Sequence, residues 1–333
     1  PYSSGYQSML INAGETKNVG VELTVNTVNF STKKFSWNTT LTLSHNKNSV
    51  KALTGEAVQL YEAKFGFNQN THRIAVGEPL GQFYGYITEG LYQVDDFNYD
   101  ASTQTYTLKD GVPYHGDKGQ IRPGMWKFKN LTGDDNVIDE NDKTVIGNAQ
   151  PKFYGGLNNS FTYKGFDLSI FLTFSYGNEV LNATKLVTSK VGSLNYNALD
   201  VMNSSNRWMT INSDGQKVTD PGELAALNAG KTVAAYHDAQ QGDNYIHSWA
   251  VEDASYLKLS NVTLGYTFPK NLIARVGLKN LRLYATGNNL LTWTKYSGFD
   301  PEVSTMKSGL TPGVDFGAYP LSRSFIFGLN VAF

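Results

Sequence analysis

Apolar and polar residues alternate with a period of two along seven stretches of this chain, most plainly in the last. Phe325, Phe327, Leu329, Val331 and Phe333 fall on one face, and Ser324, Gly328, Asn330 and Ala332 on the other. A period of two marks a strand with two unlike faces, not a helix. The first stretch sets Val19, Val21, Leu23 and Val25 against Gly20, Glu22, Thr24 and Asn26. The second sets Phe35, Trp37, Thr39, Leu41 and Leu43 against Ser36, Asn38, Thr40, Thr42 and Ser44. Strands are thereby predicted near 17–30, 34–46, 153–163, 166–176, 255–268, 279–293 and 322–333. Only Lys164 and Gly165 separate the third from the fourth, which predicts a tight hairpin. In the fifth the apolar set shifts to Val262, Leu264, Tyr266 and Phe268, and the change of phase near Asn261 predicts a bulge.

The connections alternate in length. Residues 31–34, 164–165 and 269–278 are short, whereas 47–151, 177–254 and 294–321 are long. Short turns at one end and long loops at the other predict an all-β fold: a transmembrane antiparallel barrel with periplasmic turns and extracellular loops. An apolar face running out to a terminal Phe333 fits lipid better than a soluble core. Bacterial single-chain barrels have even strand numbers, and an unpaired edge cannot face hydrocarbon. Seven strands are therefore expected to be the last part of a larger barrel, with the remainder upstream of Pro1.

Composition agrees. Aromatic residues make up 13% and charged residues 17% of 333, the latter below the roughly 25% of an ordinary soluble domain. Mean hydropathy is −0.34, and no run approaches the roughly 20 apolar residues of a spanning helix, so any passage through a membrane is by strands. The opening PYSSGYQS has neither the charge nor the apolar run of a signal peptide, which leads to the expectation of a mature form or a fragment. A net charge of −1 argues against nucleic acid, and the absence of cysteine excludes thiol chemistry. A secreted carbohydrate-binding β-sandwich shares this composition and stands as the alternative without a membrane.

Catalytic patterns are wanting. The five histidines, at 45, 72, 115, 237 and 247, show no zinc-binding spacing, and no Gly-x-Ser-x-Gly elbow occurs. The expectation is a protein that is not an enzyme. The run Asn130–Asp142, with Asp134, Asp135, Asp139 and Asp142, spaces acidic oxygens somewhat like a calcium loop. Either anchoring leaves a ligand position wrongly filled, and a hydrogen-bonded acidic turn explains the same residues. Tyr196, Trp208, Tyr245 and Trp249 lie in the second long loop, where flat rings could stack on sugars or pack inside the loop. Trp37, Trp293, Tyr163, Tyr176, Tyr266 and Phe268 lie near strand ends, as an interfacial aromatic belt requires.

Several long stretches resemble one family. VEDASYLKLSNVTLGYTFP from Val251, LRLYATGNNLLTWTKYSGFDPEV from Leu281 and GVDFGAYPLSRSFIFGLNVAF from Gly313 are similar to the carboxy-terminal part of SusC/RagA-type TonB-linked outer-membrane transporters of Bacteroidetes. GETKNVGVEL from Gly14, VGEPLGQFYGY from Val76 and VIDENDKTVIGNAQPKFYGGL from Val137 continue the likeness in the family's order. The resemblance implies a plugged barrel of 22 strands and import of oligosaccharides or peptides. It also implies a SusD-like lipoprotein lid and energy from the TonB complex, engaged through amino-terminal parts that have no counterpart here. It makes Phe333 part of the signal read by the barrel-assembly machinery. One departure is the loop after Trp208, which lacks the family's usual Pro-Glu-Asn stretch. A generic TonB-dependent receptor for a siderophore or vitamin is the other membrane reading.

Overall fold

The computed structural model describes residues 14–54, 58–62, 70–133, 135–189, 197–235, 245–305 and 308–333. Seven long strands form one antiparallel sheet in sequence order: β1 (Gly14–Ser31), β2 (Phe35–Leu53), β3 (Phe153–Tyr163), β4 (Phe166–Tyr176), β5 (Tyr256–Thr267), β6 (Asn280–Thr294) and β7 (Ser324–Ala332). Each strand pairs only with its neighbours in the chain. β1 and β7 are the sheet's two edges.

The register sorts side chains into two faces. Leu41 lies opposite Val25 and Leu157, Leu157 opposite Leu172, and Leu172 opposite Leu259. Leu259 lies opposite Leu291, and further along β6 Leu283 lies opposite Leu329. Because successive side chains on a strand point to opposite sides, these rows make one apolar face across all seven strands. Among the described residues it stays uncovered: Phe325 and Phe327 are 68% and 82% exposed. The other face is built of hydroxyls and amides that bond across strands. Thr40 donates to Asn26 (2.8 Å), Ser169 to Asn158 (3.0 Å) and Asn261 to Asn288 (2.7 Å), while Ser36 and Thr162 share a hydrogen bond of 2.5 Å.

Aromatic rings collect at two levels of the apolar face. Phe35, Tyr163, Phe166 and Tyr266 form a row beside the short turns. Phe153, Tyr176 and Trp293 lie towards the long loops, with Phe153 and Tyr176 stacked at 4.9 Å. Ten residues of β3 separate the two levels, about 33 Å of strand, or about 25 Å of height at a tilt near 40°. That is the height of the apolar band on a membrane barrel. The apolar face contains one polar island, satisfied within itself: Trp37 Nε1 and Thr39 Oγ1 both donate to Asn159 Oδ1, at 3.0 and 2.7 Å, and Asn29 donates to Thr39. No helix among the described residues is long and apolar enough to cross a membrane.

Local chemistry sets the turns and the change of phase. Lys164 and Gly165 both have positive φ, 46° and 90°, the geometry of a two-residue turn whose twist matches the strands. Ser260 is the inserted residue of a bulge: Phe171 faces Asn261 while Leu172 faces Leu259. This shifts the apolar set of β5 from odd to even positions and keeps it on the same face. β1 and β2 run longer than the alternation predicts. β2 continues to Leu53, paired with Gly14, because the backbone ladder persists where the alternation of side chains has lapsed.

The buried hydrophobic clusters lie in the long connections. Tyr86, Leu91, Trp126, Phe128, Ile138, Trp208 and Leu224 belong to one cluster, and Phe83, Leu181, Leu186, Ile246 and Val314 to a second. Small sheets frame them, including a four-stranded one of Val58–Glu62, Asn70–Ala75, Gln82–Gly85 and Thr144–Asn148. Another joins Glu179–Asn182, Val251–Asp253 and Val314–Asp315. The connections expected as loops thus form a packed cap with its own helices, Ala183–Thr188 and Pro221–Leu227.

Candidate transport surface: the polar wall and its loop cap

On the polar face near the short turns, Arg282 of β6 reaches Asp167 of β4 across the intervening strand. Nε and Nη2 donate to the two carboxylate oxygens at 3.0 and 2.5 Å. Gly265 of β5 makes this possible, since a Cβ there would lie 2.5 Å from both partners. At the opposite end Lys258 is buried and pairs with Asp300 (3.4 Å) and with Glu302, which also accepts from the Tyr256 hydroxyl (2.6 Å). These bonds hold the connection between β6 and β7 against the wall. A cavity of about 480 Å³ opens where they meet, lined by Tyr154, Ser175, Glu179, Tyr256, Glu302 and Gly313.

The cap is cross-braced by buried polar groups. Glu252 accepts from Ser297 N and Oγ (2.9 Å each), Lys185 Nζ (3.1 Å) and Asn182 Nδ2 (3.3 Å). Burial opposes its ionisation, but the Ser297 bonds and the Lys185 charge outweigh it and hold the carboxyl below the usual range. Tyr296 donates to Asp315 (2.6 Å), and burial followed by that bond raises its pKa. His72 and His115 are lowered to about 4, chiefly by burial. His72 bonds Thr71 and the Pro312 carbonyl; His115 lies among Tyr92, Phe128 and Tyr245.

The four aromatics that could either stack on sugars or pack inside the loop have different surroundings. Tyr196 lies outside the described residues. Trp208 is 1% exposed and rests on Gly124, so neither ring face is open. Tyr245 is half-buried edge-on to Tyr86 and Phe128. Trp249 is half-buried, 4.9 Å from the Trp126 ring, with Lys185 Nζ 4.0 Å from its own. Trp208, Tyr245 and Trp249 thus pack within the cap, and Tyr154, Tyr256 and Glu179 line the cavity. No motif marks those three in the sequence; only their phase on strands or beside them could have found them.

Of the acidic run, Asp134 lies outside the described residues. Asp142 is buried and accepts from Leu131 N (2.7 Å), Thr132 N (2.9 Å), Thr132 Oγ1 (3.2 Å) and Asp139 N (2.8 Å). Burial alone would raise its pKa, but these bonds take it below the usual range. Asp139 caps Asn141 N (2.7 Å), and Asp135 accepts from Val137 N (3.2 Å). Asp135, Asp139 and Asp142 thus accept from the chain's own amides, and among the described residues no group of three acidic or histidine side chains is arranged to hold a metal. Phe333 is exposed on the apolar side just past β7.

Two unlike faces, two aromatic levels and an unclosed antiparallel meander define a section of a transmembrane β-barrel wall. No protein-family model matches the chain. TonB-dependent receptor P3 of Formosa agariphila is 34% identical over 340 residues, which take in 100% of this chain and 30% of that protein. TonB-dependent receptor SusC of Bacteroides thetaiotaomicron is 27% identical over 338 residues, 98% of this chain and 27% of SusC. Among solved structures, the RagAB peptide transporter superposes over 100% of this chain and 31% of its own, with a TM-score of 0.68 at 22% identity. Along its whole length the chain is homologous to TonB-dependent receptors, proteins of the outer membrane, SusC among them. It spans about 30% of the length of such relatives.

Proposed function

We propose that this chain forms one sector of the wall and the external cap of an outer-membrane importer that takes up oligosaccharides or peptides. The work of transport is passive enclosure. The hydroxyl- and amide-lined face keeps a wet passage open, and the apolar face holds the sector in lipid. The short turns are periplasmic and the cap extracellular in this reading, with a SusD-like lipoprotein seated over the cap and TonB supplying energy through other parts of the longer protein. Phe333 ends the strand that the assembly machinery recognises. The observation that carries the reading is relatedness along the whole chain to receptors named TonB-dependent, joined to a sheet with one lipid-suited and one water-suited face. A peptide cargo draws support from the name of the RagAB neighbour.

The test is uptake by cells producing the longer protein that contains this chain. Labelled oligosaccharide and peptide mixtures should enter only with an intact TonB gene, and the purified receptor should bring a lipoprotein with it. Uptake that survives loss of TonB would overturn the reading.

A further inference from the structure

The short-turn end of the sheet carries Lys33, Lys34, Lys164, Lys270, Arg275 and Lys279 and no Asp or Glu across residues 31–34, 164–165 and 268–280. All six are exposed, and none pairs with a carboxylate among the described residues. Backbone bonds fasten the turns into a rim. Lys164 N donates to Lys34 O (3.3 Å), Thr267 N to Gly165 O (2.8 Å), Phe268 N to Leu281 O (2.9 Å) and Lys279 N to Ala332 O (2.8 Å).

A second feature fixes the depth of these charges. The ring row Phe35, Tyr163, Phe166 and Tyr266 lies immediately beside them on the apolar face, with Phe166 and Tyr266 at 4.6 Å. Such rings sit at headgroup level, which puts the adjoining cations at the phosphates. The turn between β5 and β6 has the same character. Its short helical stretch, Lys270–Ile273 and then Ala274–Val276, buries Ile273 but leaves Leu272 and Val276 59% and 72% exposed beside Lys270 and Arg275. Apolar residues that would be idle in water, flanked by cations, are the composition of an interfacial anchor.

We propose that this rim binds anionic glycerophospholipids of the leaflet it faces, phosphates on the six cations and acyl chains along the apolar wall. The opposite end lacks this bias, since Lys127 pairs with Asp96 and Lys143 with Glu140 there. The inference rests on the barrel reading, not on transport. An importer that failed the TonB test would still be bound by it.

The test uses the longer protein, purified in detergent and mixed with equal amounts of phosphatidylglycerol and phosphatidylethanolamine. Retained lipid is read by native mass spectrometry. The wild type should hold phosphatidylglycerol with roughly tenfold preference. A Lys33→Gln/Lys34→Gln/Lys164→Gln/Lys270→Gln variant should lose it, and a Lys109→Gln/Lys118→Gln control in the cap should keep it. Should the rim variant not fold, the wild type decides alone, because its preference must fall when salt rises from about 0.05 M to about 1 M. A preference that ignores both the rim charges and salt would overturn the proposal. So would displacement of the lipid by acidic muropeptides, which would make the rim a peptidoglycan contact.

Discussion

Gly124 and Trp208, far apart in sequence, illustrate how single residues decide the cap. Gly124 has φ +85°, and a Cβ on it would lie 2.3 Å from Trp208 Cγ. Both the backbone geometry and the contact exclude a side chain there. Gly124→Ala should cost about 3 kcal/mol of cap stability, by strain plus overpacking. Limited proteolysis should then cut the connection between β2 and β3 much faster than in the wild type, while the strands stay protected. Equal rates would show that the cluster around Trp208 does not hold the cap together. The sequence offers no sign of this pairing, because a tryptophan in a loop reads alike as a stacking platform or as core. Only the partner distinguishes them, and the partner is 84 residues away.

Among the elements, the strands were the legible part and the cap was not. Period two is written into β3, β4 and β7 because one face meets lipid and the other water, and no other arrangement suits both. The upper part of β2, from His45 to Leu53, escapes the pattern; there Val50 is buried and exchanges backbone bonds with Gly77 and Glu78 of the cap. The cap's short strands, such as Glu179–Asn182 between Val251–Asp253 and Val314–Asp315, pair segments too distant for any local signal. The cap also carries a dependence on pH. His72 and His115, lowered from 6.5 to about 4 when folded, are neutral in the cap. The unfolded segments bind more protons between those values, so stability is full above about pH 6.5 and falls as pH drops towards 4. At about pH 5 each histidine should remove about 2 kcal/mol. Protection factors of the cap amides should fall between about pH 7 and 5 and recover in part in His115→Phe, with those of the strands unchanged. An acid response undiminished by that substitution would place its origin elsewhere.

For the molecule as a whole, everything follows from the two faces of one sheet. The cap holds the buried clusters, and it meets the wall at Lys258, Glu302 and the cavity beside them. The wall has open edges at β1 and β7, and hydrocarbon tolerates neither, so both are joined by other strands of the longer protein in this account. The central claim is that Leu168, Ile170 and Leu172 face lipid while Ser169, Phe171 and Thr173 face water. These 333 residues contain no cysteine, so in a receptor cleared of any cysteine elsewhere, single cysteines at these six positions can carry spin labels. Collision with oxygen, which concentrates in lipid, and with a water-soluble nickel chelate should then alternate residue by residue along β4. Oxygen should dominate at 168, 170 and 172, and nickel at 169, 171 and 173. Nickel access at all six positions would mean that the apolar face is not in the membrane, and would contradict the account.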